Sequence, residues 1–191
     1  MKLLPTSLPG VVIIEPARFS DDRGWFMESF NEARLNAALL ELGLPPAPRF
    51  VQDNHSCSKA GVLRGLHHQL PPHAQGKLVR VSHGAAYDVA VDIRRGSPHF
   101  GCWVGVELSA DNLRQLWIPP GFAHGFVALV DNTHFLYKTT DIYVRDSERS
   151  IRFDDPAIGI TWPGVPGVPL LQVAPKDAAA PLLALAELAA G

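Results

Sequence analysis

The stretch Tyr87-Asp88-Val89-Ala90-Val91-Asp92-Ile93 decides the fold class. Its odd-numbered residues are large and apolar and share one face of a strand, while the two aspartates and Ala90 share the other face. Other short apolar segments recur along the chain, separated by many of its 17 prolines and 16 glycines. Many short strands with frequent turns indicate an all-β protein, built as a sandwich or barrel rather than from βαβ units.

The same reasoning predicts the other elements and a single domain over residues 1–191. Strands are predicted at residues 11–15, 25–30, 49–54, 61–69, 76–82, 85–93, 102–108, 115–118, 125–130, 133–143 and 150–153. A helix over residues 32–42 would be capped by Asn31 and ended by Gly43. The Ala- and Leu-rich tail, residues 178–190, predicts a short C-terminal helix with Asp177 as its N-cap.

Composition excludes several classes of protein. A formal net charge of -2 gives no global field that would attract nucleic acid. No run approaches the ~20 apolar residues of a membrane span, and the N-terminal residues do not form a signal-peptide pattern. Cys57 and Cys102 do not form a C-x-x-C pair and are expected to be free thiols. We therefore expect a cytoplasmic protein that binds neither nucleic acid nor membrane.

Polar side chains are concentrated in three short stretches, residues 52–56, 64–69 and 75–77. Gln52 and Asn54 lie two apart on a predicted strand and should point the same way. Regular alternation would send Arg64 and His67 to opposite faces, unless Gly65 bulges the strand and re-aims them. A strand so rich in Arg and His is poor material for an apolar core. It either faces solvent or contributes to a site for an anionic ligand.

His67 is a candidate general base, because an unperturbed imidazole titrates near ~6.5 and can exchange a proton at neutral pH. Such a base usually needs a carboxylate that orients its other nitrogen. The spacing leaves four candidates open, namely Asp53, Asp88, Asp92 and Asp177. A histidine on a strand can equally be an ordinary surface residue.

A second polar segment reads Trp117-Ile118-Pro119-Pro120-Gly121-Phe122-Ala123-His124-Gly125-Phe126. Its Pro-Pro-Gly run predicts a turn, and its spacing resembles the second cupin motif, which places His124 inside a barrel. A cupin metal site needs companions, usually two closely spaced histidines and a glutamate. Here His67 and His68 are adjacent, and no glutamate occurs between residues 41 and 107. We therefore expect no metal, so that His124 either binds a phosphate or is structural.

A third segment, residues 137–143, places Tyr137 and Tyr143 on one face of a regular strand. A tyrosine hydroxyl can act as a general acid, or the ring can simply pack with its tip in water. The motifs for dinucleotide binding, P-loop phosphate binding, a serine nucleophile elbow and a zinc protease are missing. Hydride transfer, phosphoryl transfer and acyl transfer of those kinds therefore lack support.

Together these segments resemble the dTDP-4-dehydrorhamnose 3,5-epimerase family of cupin-type deoxysugar epimerases. The resemblance covers nearly the whole chain and is carried by residues 19–28, 50–56, 61–67, 75–80, 88–94, 115–126 and 176–181. It implies an all-β cupin jelly roll with short peripheral helices, a homodimer, and an active site inside each barrel. It also implies a dTDP-4-keto-6-deoxy sugar as ligand, with no metal and no other cofactor.

The resemblance further implies roles for individual residues. His67 would be the general base and Asp177 its orienting carboxylate, Tyr137 the proton donor on the opposite face of the sugar, and Lys77 a cation near the sugar oxygens. The remaining matches to positions that line the substrate, nucleotide and phosphate site are Arg23, Phe26, Glu28, Gln52, Asn54, Arg64, His124 and Tyr143.

The chemistry of a 4-keto sugar is consistent with these roles. C3 and C5 both flank the carbonyl, so each C–H bond can be broken through an enolate, and inversion needs a base on one face and an acid on the other. A donor at the enolate oxygen is worth roughly 3–4 kcal/mol in a dry site. Three alternatives stay open: an epimerase of C3 alone or C5 alone, a metal-dependent cupin, and a non-catalytic cupin that binds sugar nucleotides.

Overall fold

Two packed β-sheets form the body of the computed structural model, which describes residues 1–189. The strands are β1 (Lys2–Pro5), β2 (Val12–Glu15), β3 (Arg18–Asp21), β4 (Gly24–Met27), β5 (Gln52–Ser58), β6 (Val62–Gln69), β7 (Lys77–His83), β8 (Ala85–Asp92), β9 (Trp103–Ser109), β10 (Gln115–Ile118), β11 (Phe122–Ala128), β12 (Thr133–Thr139), β13 (Glu148–Ser150) and β14 (Gln172–Val173). The first sheet has the order β1-β2-β10-β7-β12-β5. The second has the order β13-β6-β11-β8-β9, with β14 parallel to β6. The prediction of an all-β architecture with few short helices is confirmed.

Strand β8 contains residues 87–92 of the alternating stretch and has buried residues on both faces. Ala86 and Ala90 point into the space between the sheets, while Val89 and Val91 pack against a second apolar cluster outside. Ten other predicted strands overlap observed ones, although the strand predicted at residues 49–54 begins and ends later, as β5. The prediction missed β1, β3 and β14, which are two to four residues long.

Helix α1 (Glu32–Glu41) covers the outer face of the first sheet. Its N-cap is Asn31, as predicted, whose side chain accepts a hydrogen bond from the Arg34 amide at 3.1 Å. Leu35 and Leu39 are buried against the sheet. Gly43, just beyond the helix, has a φ of 73°, a conformation that favours glycine.

The C-terminal tail is not the helix predicted over residues 178–190. A four-residue helix, α2 (Pro175–Ala178), precedes a short 3₁₀ turn at Leu183–Leu185; residue 190 lies outside the described residues. Pro181 explains the error, because proline cannot donate a helical hydrogen bond and its ring clashes with the preceding turn. Asp177 is consequently no N-cap; it lies within α2 and is buried.

The space between the two sheets is divided into an apolar half and an open half. The apolar half is a cluster of buried side chains from both sheets, in which the rings of Phe126 and Phe135 stack at 3.9 Å. The ring of His124 lies 5.9 Å from that of Phe135 and marks the boundary. Beyond it the sheets separate and enclose a cavity.

A β-bulge in β6 determines which side chains enter this cavity. Between the pairs His124↔His67 and Phe126↔Arg64, β11 advances by two residues and β6 by three. The extra residue lies at Gly65, whose φ is 131°, and a Cβ there would lie 2.5 Å from Gly125 Cα. The bulge therefore turns both Arg64 and His67 toward the cavity, which regular alternation would not do.

Substituting Gly65 tests this contact. We expect Gly65→Ala to lower the free energy of unfolding by about 2 kcal/mol or more, because the new methyl meets backbone and the φ is unfavourable for alanine. Urea denaturation measures the change. Gly96→Ala is the matched control, since a Cβ there meets nothing within 4 Å. Equal stability of the two variants would contradict the close contact.

Candidate active site

The cavity has a volume of about 830 Å³ and is lined by both sheets and by the segment around α2. The predicted site residues among its lining are Gln52, Asn54, Arg64, His67, Lys77, His124, Tyr137, Tyr143 and Asp177. This volume falls within the range of roughly 300–1,000 Å³ that is typical of small-molecule and cofactor pockets.

His67 and Asp177 form a hydrogen-bonded pair at the cavity wall. His67 Nε2 lies 2.7 Å from Asp177 Oδ1, and the Gly65 amide donates to Asp177 Oδ2 at 3.3 Å. Burial raises the pKa of the Asp177 carboxyl, but the hydrogen bonds from His67 and Gly65 outweigh it and hold this pKa below its usual value. An ionised Asp177 accepts Nε2–H, which leaves His67 Nδ1 as the nitrogen able to take a proton. Of the four carboxylates left open by spacing, Asp177 is the partner.

Tyr137 lines the same cavity from the opposite sheet. It lies on β12, whereas His67 lies on β6, so that a ring bound between the sheets would meet one group on each face. Burial raises the pKa of the Tyr137 phenol, Arg64 lowers it, and Glu148 raises it further. The net upward shift keeps the phenol protonated at neutral pH.

Lys77 and His124 line the deeper part of the cavity beside a buried carboxylate. Lys77 is 6% exposed, and burial lowers the pKa of its ammonium to about 8 while the charge of Asp88 opposes that shift. His124 Nε2 lies 2.7 Å from Asp88 Oδ1. These positions place the Lys77 ammonium where negative charge could develop on a bound ligand, with the His124 ring beside it.

Four polar side chains form a network around the cavity. Gln52 donates to Asn54 Oδ1 at 3.0 Å and accepts from the Tyr143 amide at 2.9 Å, so the prediction that Gln52 and Asn54 point together is confirmed. The Tyr143 hydroxyl donates to Glu148 Oε2 at 3.1 Å. Tyr143 is half exposed and lines the cavity.

Three predicted binding residues lie outside the cavity of this chain. Arg23 and Phe26 are on the hairpin formed by β3 and β4, where Arg23 is paired with Asp21 at 2.6 Å and Phe26 is 69% exposed. Glu28 follows this hairpin and accepts from Arg34 at 3.1 Å. Within a single chain these residues do not meet the other candidates.

Among residues 1–189, no group of three or more His, Cys, Asp or Glu is arranged to hold a metal ion. No helix in this part of the chain is long and apolar enough to cross a membrane. Cys57 and Cys102 are free and exposed.

Sequence reasoning missed Glu148, Gln69 and His68 as cavity residues. Glu148 begins a strand only three residues long, and no motif marks it. Gln69 and His68 follow the bulge, which shifts the alternation in a way that the sequence does not specify. His68 is buried, and its Nε2 bonds the Glu187 carbonyl at 3.2 Å.

Comparison with known proteins gives one consistent answer. The dTDP-4-dehydrorhamnose 3,5-epimerase family profile matches residues 5–185. A protein of that name from Salmonella typhimurium is 54% identical over 183 residues, which is 96% of each chain. A dTDP-4-dehydrorhamnose 3-epimerase from Streptomyces niveus is 38% identical and covers 96% of this chain and 84% of its own.

A solved structure agrees with the sequence relatives. The crystal structure of a dTDP-6-deoxy-D-glucose-3,5-epimerase from Legionella pneumophila in complex with dTDP-4-keto-L-rhamnose has a TM-score of 0.88. It is 51% identical and covers 96% of this chain and 93% of its own. The cupin jelly roll implied by the resemblance is thereby confirmed.

The buried His68 predicts acid lability. Burial lowers its pKa to about 4, so stability is fully present above the unfolded value near 6.5 and is lost as the pH falls toward 4. Between pH 7 and pH 5 we expect the wild type to lose about 2 kcal/mol more unfolding free energy than His68→Phe. Urea denaturation at both pH values measures this. Replacing the exposed His83 by Gln should leave the loss unchanged; parallel losses in all three proteins would contradict the prediction.

Proposed function

This chain belongs to the dTDP-4-dehydrorhamnose 3,5-epimerase family, a family of isomerases, and from that premise we propose that its cavity inverts C3 and C5 of a dTDP-4-keto-6-deoxy sugar. One observation carries the proposal: an imidazole paired with a carboxylate lies on one sheet and a phenol on the other, facing a shared cavity. This is the arrangement that inversion through an enolate requires.

In the proposed reaction His67 Nδ1 removes the proton from C3 or C5. The electron pair of the broken C–H bond moves to the C4 carbonyl and forms an enolate. Asp177 holds the imidazole in the tautomer that leaves Nδ1 free, and its negative charge stabilises the imidazolium product. No metal, oxidant or other cofactor enters this balance.

Tyr137 completes the inversion by donating its phenolic proton to the same carbon from the opposite face. Its raised pKa favours the protonated form that a donor needs. Lys77 donates a hydrogen bond to the enolate oxygen at C4, and a donor of this kind contributes roughly 3–4 kcal/mol in a dry site. The proton left on His67 and the one lost from Tyr137 exchange with solvent before the second centre reacts.

The dTDP group is proposed to bind at the open end of the cavity. Arg64 is an exposed cation in the cavity lining, held by a bond from its Nε to the Ser58 hydroxyl at 3.2 Å. Its guanidinium suits a diphosphate oxygen. Gln52, Asn54 and Tyr143 supply amide and aromatic contacts to the nucleotide. His124 lies deeper and is assigned to the sugar end.

Inversion of both centres is supported by the degree of similarity. The Salmonella 3,5-epimerase is 54% identical to this chain, whereas the Streptomyces 3-epimerase is 38% identical. A cytoplasmic location and the lack of nucleic-acid and membrane partners stay predictions from the sequence.

Solvent deuterium tests the reaction. We expect wild-type enzyme in D₂O to introduce label at both C3 and C5 of the dTDP-4-keto sugar, because each inversion replaces a carbon-bound hydrogen; NMR of the product locates the label. Label at only one carbon would contradict the proposal and indicate an epimerase of C3 alone or C5 alone. Activity should be unchanged in a chelator, and its loss would support the metal-dependent alternative.

His67→Ala should slow hydrogen exchange at both carbons by a factor of about 10³ or more, because removal of the base blocks C–H cleavage. Affinity for dTDP should stay within about twofold, since the base contacts the sugar and not the nucleotide. Calorimetric titration with dTDP provides this control. Retained exchange would refute the role of His67.

We also propose that the chain acts as a homodimer in which the hairpin of β3 and β4 reaches the cavity of the partner. Phe19 and Phe26 face each other across this hairpin, and Trp25 precedes Phe26 on β4; all three are more than half exposed. Monomers rarely leave aromatic groups of this size clustered in solvent. A second copy would bury them and bring Arg23 to the diphosphate.

Mixed dimers test this arrangement. His67→Ala removes the base from the cavity of its own chain. Arg23→Ala removes the proposed phosphate contact from the hairpin of its own chain. Random exchange of the two inactive variants should restore about a quarter of wild-type activity, because half of the dimers are mixed and each has one intact pair. If the hairpin served its own chain, mixed dimers would stay inactive. Light scattering checks that the dimers form.

A further inference from the structure

A second imidazole and carboxylate pair lies at the cavity wall, where His124 lines the cavity and Asp88 is buried behind it. His124 Nε2–H donates to Asp88 Oδ1 at 2.7 Å, and the two residues are 8% and 0% exposed. His124 pairs directly with His67 across β11 and β6. Asp88 therefore lies behind a group assigned to the sugar end of the cavity, just as Asp177 lies behind the proposed base.

Packing alone does not account for Asp88. Its Oδ2 is buried and has no hydrogen-bond partner among residues 1–189. A buried carboxylate oxygen left unsatisfied costs free energy, and an apolar side chain of similar volume would avoid that cost. Its neighbours on β8 that point the same way, Ala86 and Ala90, are apolar. The carboxylate is better explained by what it does to the groups around it.

Burial raises the pKa of the Asp88 carboxyl, and two cationic or titratable side chains oppose that rise. His124 comes from β11 in the same sheet, and Lys77 comes from β7 in the opposite sheet. The residue paired with Asp88 on β9 is the apolar Val106. The other titratable groups that line the cavity from β6 and β12 are Arg64, His67, His68 and Tyr137. The charge of Asp88 favours the protonated form of Lys77, whereas burial disfavours it.

We propose that Asp88 is a positioning residue for the epimerisation, orienting His124 through one oxygen and keeping Lys77 protonated through its charge. The inference rests on the proposed function, since Lys77 and His124 are both assigned to the sugar end of the cavity. With Nε2 held by Asp88, the Nδ1 side of the His124 ring is left for the ligand. Asp88 itself touches no reacting atom.

The test is the pH dependence of turnover in Asp88→Asn, which keeps an acceptor for His124 but removes the charge. With Asp88 the pKa of Lys77 is about 8. Without it that pKa falls, so the alkaline limb of kcat should move to lower pH. We expect the variant to lose about tenfold more turnover at pH 8.5 than at pH 6.5, relative to wild type. KM should change little.

Asp92→Asn is the matched control. Asp92 is equally buried on β8, but its oxygens bond Arg94 and Ser97 and it does not line the cavity. This variant should lose stability and keep the wild-type pH profile. Asp88→Glu, which retains the charge, should keep the wild-type alkaline limb while turnover falls.

Two results would overturn the proposal. One is an alkaline limb in Asp88→Asn that coincides with that of wild type. The other is a ¹³C NMR carboxyl shift that shows Asp88 to be protonated in the wild type at pH 7. This measurement needs no substitution, so it tests the proposal even if Asp88→Asn fails to fold. Wild-type deuterium exchange is measured first. Absence of exchange would contradict the epimerase assignment. Normal exchange with an unchanged alkaline limb in Asp88→Asn would contradict only the role of Asp88.

Discussion

The hydrogen bond between His67 and Asp177 joins parts of the chain that are 110 residues apart, and the proposed chemistry depends on it. At 2.7 Å it fixes the tautomer of the imidazole, whose ring lines the cavity, and leaves Nδ1 free. Asp177 also ties the segment around α2 to β6, because its second oxygen accepts a hydrogen bond from the Gly65 amide. The buried carboxylate of Asp177 thus holds α2 against the cavity wall and orients the proposed base.

The two-sheet architecture explains how opposite faces of one ring can be reached. Groups on β6 and β12 belong to different sheets and meet only where the sheets separate. Elsewhere the gap is filled by an apolar cluster that includes the stacked Phe126 and Phe135. This cluster holds the sheets at a fixed spacing, so that a base and an acid are preorganised on either side of a bound sugar.

Much of the fold and of the site could be predicted from the sequence. Alternation at residues 87–93 indicated the sheets. The family resemblance implied the roles of Asp177 and Tyr137, which spacing alone had left open. Three features could not be predicted from single-chain patterns. The bulge at Gly65 depends on its contact with Gly125 on another strand. The tail was mistaken for a helix because Ala and Leu propensity was weighed without Pro181. The surroundings of Arg23 depend on a second chain in the proposed dimer.

The central claim is that His67 and Tyr137 act on opposite faces of the sugar, and the stereochemistry of labelling by Tyr137→Phe tests it most directly. After incubation in D₂O, coupling constants in the NMR spectrum distinguish deuterium that enters with inversion from deuterium that returns to the original face. We expect this variant to exchange hydrogen through His67 with retained configuration, while wild type inverts. Inversion by Tyr137→Phe at the wild-type rate would contradict it.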